Sequence, residues 1–478
     1  MSDLSVKEQD LLRRIDEDEE LRPLFFRKVK GLKWFDPLAK LSYFSPEKNP
    51  KPVPAKEEGF VNIPFWSVVD YLVKTAPELS DEENLEYVEK FLDILVRATS
   101  YAKENKFSNY KTWWKFSEIV SQIPHNSITV ENLDIIDYWL DDKYDVGLVA
   151  EVIGENWLPS LLQKGEEHAL HLAKRVIELL YKIENSGDRS KSGAFLRVDY
   201  YRAQKITIKI AGLAGEKLGL EAVQIFDVIV KSILKQLKND LYSSLWQPAI
   251  EDHEQNKHRN NAENLLIQAY RDSVDSYINV SPEEAPSYVK SLLDSEYQTV
   301  KRLAIYVVSR NYDLFTDITD SILKSEYFDS NYRHEMWHFI NKCYKRFSGS
   351  QKVKLLKLID RIERHDDKGE KHKGASAYDK TIWLAAIKDY GEKEAKLYIE
   401  NTEVAKTEPD HPDFSSYMSI GWRGLESPKT LEELQVLSVD GLIQELVDYE
   451  DPGDFGGPGL EGLVKVFKEL IKTKPLNY

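Results

Sequence analysis

His334-Glu335-Met336-Trp337-His338 is the stretch whose residue types and spacing match a familiar chemistry. Two histidines four residues apart share one helical face, where their imidazoles can hold zinc while the intervening glutamate activates a water. Such a site needs a third ligand. If Ser348-Gly349 turns a helical hairpin, Glu363 returns level with His334; Asp360, His365 and Asp366 are further candidates. On this reading the chain is a zinc-dependent metallohydrolase, with His334, His338 and Glu363 as ligands and Glu335 as general base. The helix also supports a plainer reading. Met336, Phe339, Ile340, Cys343 and Phe347 form an apolar stripe, and at 100° per residue His334 and His338 point away from it, with Asn341 and Lys345. A solvated polar face accounts for all four. Peptide-cleaving zinc sites of this kind are usually flanked by a sheet edge, and strand patterns are almost absent here. The expectation is two surface histidines, no catalytic residue, no metal and no cofactor.

Other motifs reduce to structure more readily. Gly457-Pro458-Gly459-Leu460-Glu461-Gly462 spells GxGxxG, but a dinucleotide site needs a strand before it, and an acidic loop, Asp448 to Pro452, stands there instead. A helix-start turn is expected. His168 and His171, beside Glu166 and Glu167, read as a polar helix face; His253 and His258 fall in a polar loop. Neither a GxxxxGK[ST] phosphate loop nor a GxSxG elbow occurs, although a triad assembled only in space leaves no linear trace. Trp113-Trp114, Trp139, Trp157, Trp246, Trp337 and Trp383 recur in or beside helical stripes. Core packing between helices is expected of them, with a recognition surface as the functional alternative.

The elements that position these residues follow one theme. Gln298 to Ile362 reads as four successive amphipathic helices, the third carrying the two histidines. From about residue 60 to 401 the same pattern recurs, apolar residues at spacings of three and four and then a short polar break. Examples are Leu85 to Lys103, Tyr110 to Gln122, Val146 to Leu162, Ala169 to Ile183, Ile206 to Ala214, Ala222 to Leu237 and Leu265 to Ile278. The period is 3.6, not 2. Ser80-Asp81-Glu82-Glu83 and Ser281-Pro282-Glu283-Glu284 predict capped helix starts, and Pro64 suits a first helical turn. Glu184 to Ser192, Glu251 to Asn261 and Arg364 to Ser376 predict exposed loops. Helices with short connections must be antiparallel neighbours, each pair covering the next. The expected fold is therefore all-α, an α-solenoid of degenerate HEAT-like antiparallel pairs, with an irregular helical globule as the alternative. Its expected divisions are 1–59, a helical leader with a proline-rich connector; 60–250 and 251–402, the helical-repeat region; and 403–478, a loop-rich helical segment. No polar capping element follows the last helix, an ending expected of a fragment or of a surface that docks elsewhere.

Composition bounds the partners. The net charge of -16 argues against nonspecific nucleic-acid binding, which needs clustered Lys and Arg. A single cysteine, Cys343, excludes a disulfide framework and a multi-cysteine metal site. Met1-Ser2-Asp3-Leu4 shows no signal pattern, and no apolar run approaches the length that spans a bilayer. A cytoplasmic location is expected.

Near the C-terminus the spacing Gly421-Trp422-Arg423-Gly424, Ser427-Pro428, Leu431, Leu434, then Gly457-Pro458 and Gly462-Leu463, resembles helical-repeat regions of large bacterial conflict and antiphage-defence proteins. Phe60, Pro64-Phe65-Trp66 and Tyr71-Leu72 resemble the opening of the same kind of region. The resemblance covers short blocks near both ends; the middle matches in pattern. It implies a helical part that accompanies an effector or NTPase module and acts in sensing or assembly, and it carries no catalytic residue across. The expected function is a non-catalytic scaffold or sensor that binds another protein or effector module of the same system. The alternatives are the zinc hydrolase and a nucleic-acid-binding solenoid with a local basic groove.

Overall fold

The computed structural model describes residues 4–57, 59–185, 194–237, 240–256, 261–365, 368–417, 427–449 and 458–473. The protein is mostly helical, 71% helix against 2% strand, as an all-α reading of the 3.6 periodicity requires. Val53–Pro54, in the proline-rich connector, pairs antiparallel with Val61–Asn62 just beyond it, and Ile183–Asn185 pairs with Ala194–Leu196. The second pairing takes in the start of the loop expected from Glu184; residues 186–193 lie outside the described ones.

Most of the long periodic segments are helices close to the expected bounds, as in Leu85–Glu104, Tyr110–Val120, Glu167–Leu180, Tyr200–Leu218, Leu220–Leu237 and Ala262–Val280. Two segments differ. Val146 to Leu162 is Leu148–Ala150, a π-helical turn Glu151–Trp157 and then Leu158–Lys164. The second of the four helices expected after Gln298 is a run of 3-10 turns ending in the short helix Thr319–Ile322.

The helix starts also differ. Ser281 ends the preceding helix, its N–H donating to the Tyr277 carbonyl, so its hydroxyl does not cap Ala285–Leu293; that helix begins after Glu284 without a side-chain cap. Residues Ser80 to Glu83 are likewise taken up by two 3-10 turns before Leu85. Pro64 lies in extended chain ahead of the Val68–Thr75 helix, where its carbonyl accepts from Asn109 Nδ2 at 3.0 Å.

Two compact units are present, 1–416 and 417–478. In the first, one apolar cluster runs from Leu4 to Tyr398, through the expected boundaries at 59/60 and 250/251. Trp113, Trp139, Trp157 and Trp383 are buried in it, the first two stacked at 6.3 Å. Trp139 Nε1 donates to Thr99 Oγ1 at 2.9 Å, which satisfies its one polar atom. Tyr200–Leu218 packs most extensively on Ala262–Val280 and not on Leu220–Leu237, its neighbour in sequence. Gly215 allows that approach: a Cβ there would lie 2.1 Å from the Ser273 carbonyl oxygen. In the second unit Leu434, Leu442, Leu463 and Leu470 form a small core of their own. Gly459 precedes the helix Leu460–Thr473, whose Leu463 N–H donates to the Gly459 carbonyl, the expected helix-start turn; Gly421 to Gly424 and Gly457 lie outside the described residues. Among the described residues no helix is long and apolar enough to cross a membrane.

Candidate metal centre around His334 and His338

The motif helix, Arg333–Cys343, buries Met336, Phe339, Ile340 and Cys343 completely, and Phe347 follows them into the core. The stripe is as expected; the opposite face is not. His334 is 4% exposed, and the His338 side chain is about three-quarters covered. Two loops from distant parts of the sequence lie over this face. One carries Ile250, Glu251 and His253; the other carries Asp413 and Phe414. Asn341 is also engaged, its Nδ2 donating to the Ala386 carbonyl at 2.8 Å, while Lys345 is exposed. His334 is thus buried and His338 partly covered, where a solvated face was expected of both.

Both loops are fixed. Ala249 and Ile250 are buried. Asn256 Nδ2 donates to the carbonyls of Ala249 and Glu251, and Arg271 Nη1 donates to the Ile250 carbonyl and to Asp252 Oδ1. On the other side, Arg333 Nη1 donates to the Phe414 carbonyl at 3.3 Å, and the Phe414 ring packs 4.4 Å from that of His334 and 4.8 Å from that of His253.

The polar groups then converge. Glu251 Oε1 lies 3.1 Å from His334 Nε2, and Asp413 Oδ2 lies 3.1 Å from His338 Nε2 and 3.6 Å from His334 Nδ1. The two imidazole centroids are 4.5 Å apart. Glu251, His334 and His338 each place a donor atom within 4.8 Å of the other two. The hydrogen bond to His334 holds the Glu251 carboxyl at about 2. Burial pushes Asp413 up, but the His338 hydrogen bond and the two nearby imidazoles outweigh it and leave its carboxyl below the usual range. Burial and the neighbouring His334 lower His253, whose Nδ1 accepts from the Gln255 N–H.

Glu335 belongs to a different assembly. Its side chain is 1% exposed and faces Arg302, whose side chain is 0% exposed. Arg302 Nε donates to Oε2 at 2.7 Å and Nη2 to Oε1 at 2.9 Å, a bidentate pair, and the Ile250 N–H adds a third bond at 2.9 Å. The remaining Arg302 donors reach Ser243 Oγ and the Pro248 carbonyl. A carboxylate held this way is a structural anchor; a general base must be within reach of a substrate water.

The third ligand expected from the sequence is elsewhere. Glu363 is half exposed and pairs with Lys371, and Asp360 pairs with Lys380 at 3.2 Å. His365 is in an isolated bridge with Lys371, and Asp366 lies outside the described residues. The chain after Asp360 turns into a loop and does not continue the hairpin that would bring Glu363 back to His334. Glu251 and Asp413 take the place assigned to it. Their sequence signal was slight: an acid two residues from His253 and another two from His411. Three histidines away from this site make polar contacts of their own: His168 Nε2 with the Ile128 carbonyl and His125 Nε2 with Glu166, both at 2.8 Å, and His372 Nδ1 with the Ala375 N–H at 3.0 Å; His258 lies outside the described residues.

No family model matches the chain, and neither a curated protein nor a solved structure matches it.

Proposed function

We propose that this chain is a non-catalytic binding scaffold, a HEAT-like helical array that engages another protein or an effector module of its own system. The observation that carries this reading is the Arg302–Glu335 pair. The residue that would activate water in a zinc hydrolase is bound on both oxygens inside the core, so the HExxH spacing is left without its base. A cleft of about 870 Å³ gives the scaffold a place to bind. Lys301, Arg333, Arg361 and Arg364 line it together with Glu326, Asp329 and Asp379, a polar wall of both charges. Arg333 Nε is buried there without a hydrogen-bond partner. The resemblance of the end blocks to helical regions of bacterial antiphage-defence proteins supplies the proposed context, as a sensor or scaffold in the cytoplasm.

The test is hydrolysis. Purified full-length chain, with and without added zinc, is incubated with a mixed fluorogenic peptide library and with casein. No turnover above buffer is expected in either case. Zinc-dependent cleavage that disappears in a folded Glu335→Gln variant would overturn the reading.

A further inference from the structure

We propose that Glu251, His334 and His338, with Asp413 as fourth ligand, form a site for one divalent transition-metal ion, zinc by its chemistry, that ties two loops to the motif helix.

Two imidazoles and two carboxylates are nitrogen and oxygen ligands of the kind zinc accepts, and two histidines disfavour magnesium and calcium, which take oxygen. The two carboxylates carry the charge that one divalent ion cancels. Ligands about 2.0–2.1 Å from a tetrahedral zinc stand roughly 3.3 Å from one another. Glu251 Oε1 lies 3.1 Å from His334 Nε2 and Asp413 Oδ2 lies 3.1 Å from His338 Nε2, while Asp413 Oδ2 stands 3.6 Å from the other His334 nitrogen, Nδ1. Glu251, His334 and His338 each offer a ligand atom within 4.8 Å of the other two, so an ion must draw them together by up to about 1.5 Å.

A separate observation is the state of His334. The ring is 4% exposed, and its Nδ1 is buried without a hydrogen-bond partner, with Asp413 Oδ2 beyond bonding distance at 3.6 Å. A buried imidazole nitrogen with no partner costs free energy unless something fills its lone pair or takes its proton. A metal at the centre of this group draws the ligands together. One His334 nitrogen then binds the ion, and the other keeps as its partner an oxygen of a carboxylate that ligates through its second oxygen. Phe414 and His253 pack against the His334 ring, with centroids 4.4 and 5.6 Å away.

Four protein ligands make a closed site, the form that zinc takes when its role is structural. The consequence is a cross-link. Glu251 is 83 residues from His334, and Asp413 is 75 residues from His338. One ion joins three stretches of chain that the sequence keeps far apart. The inference does not depend on the scaffold reading: zinc-dependent peptide cleavage would overturn that reading and leave the site in place.

The experiment uses the full chain, stripped with a chelator and returned to metal-free buffer. Zinc is added against a competing chromophoric chelator, and bound metal per chain is read by mass spectrometry. One equivalent is expected. Cobalt(II) in place of zinc should give visible ligand-field bands of tetrahedral intensity. His338→Asn and Glu251→Gln, each close in size to the native residue and each checked for an unchanged far-UV spectrum, should weaken zinc binding at least tenfold and flatten the cobalt bands. Folded wild-type chain that takes up no stoichiometric metal overturns the proposal. So does one equivalent bound equally by wild type and both variants, since the ion then sits elsewhere.

Discussion

Replacing Glu335 with glutamine separates an anchoring glutamate from a catalytic one. The change keeps the side chain's size and removes its charge. Arg302, with a side chain 0% exposed, stays charged and loses its counter-ion. One carboxylate oxygen becomes an NH2 group, and both oxygens now accept from N–H donors, so one donor must meet another. Breaking one partner of a buried ion pair costs about 3–5 kcal/mol. Because glutamine keeps one acceptor, a loss of about 3 kcal/mol is expected, the lower end of that range. The companion variant is Arg302→Met, and the double variant completes a cycle. The double is not neutral, because the Pro248 carbonyl and Ser243 Oγ lose the Arg302 donors, each worth about 1–3 kcal/mol. The coupling between the two positions should still reach about 2 kcal/mol, since no lone charge remains in the core. Urea unfolding followed by tryptophan fluorescence and by circular dichroism measures all four proteins. A Glu335→Gln midpoint equivalent to within about 0.5 kcal/mol of wild type, at unchanged slope, refutes the reasoning and frees Glu335 for chemistry.

Three further outcomes are expected. Zinc at a hundredfold excess over its dissociation constant should stabilise the chain by about 2.7 kcal/mol, and His338→Asn should remove that gain in a thermal melt. Gly215→Ala should cost about 3 kcal/mol or more in urea unfolding, because the added carbon would sit 2.1 Å from the backbone oxygen of Ser273 and two helices must part to admit it. Equal stability of that variant would refute the close approach. Trp139→Phe should cost about 1–3 kcal/mol by the same assay, as the Thr99 hydroxyl loses its donor and the stack on Trp113 loses area; a loss confined to a few tenths would place this ring outside the core.

The helices were legible in the sequence because their apolar faces repeat every 3.6 residues, and the stripe from Met336 to Phe347 is buried as that pattern required. What covers the other face of the same helix was not legible. Periodicity records that His334 and His338 point away from one core; it does not record that loops around Glu251 and Asp413 fold over them. Both loops are irregular and carry no period. Arg302 was hidden differently. It sits beside Val300, Leu303 and Ala304 in a stripe, where an arginine reads as the edge of a solvated face until its partner is known. Glu363 was placed by assuming that a hairpin continues in register, and the chain leaves helical geometry after Asp360. The helix caps at Ser80 and Ser281 failed because neighbouring turns claimed those residues first. Each miss comes from a contact between residues far apart in sequence or from competition between adjacent turns, and neither leaves a mark in local spacing.

Cys343 has a use that follows from its position. It is the one cysteine of the chain, fully buried in the stripe of the motif helix, with its Sγ near the Ser309 carbonyl and Arg346. Burial lifts its thiol to about 11, and only the thiolate reacts with alkylating reagents. In the native protein the group is therefore silent, and a new cysteine placed on the surface takes a dye alone, without removal of a native one. Modification of Cys343 itself requires the motif helix to lift from the core, so its labelling rate under native conditions is a clock for that opening. With and without zinc, the same clock reads how firmly the two loops hold the helix down.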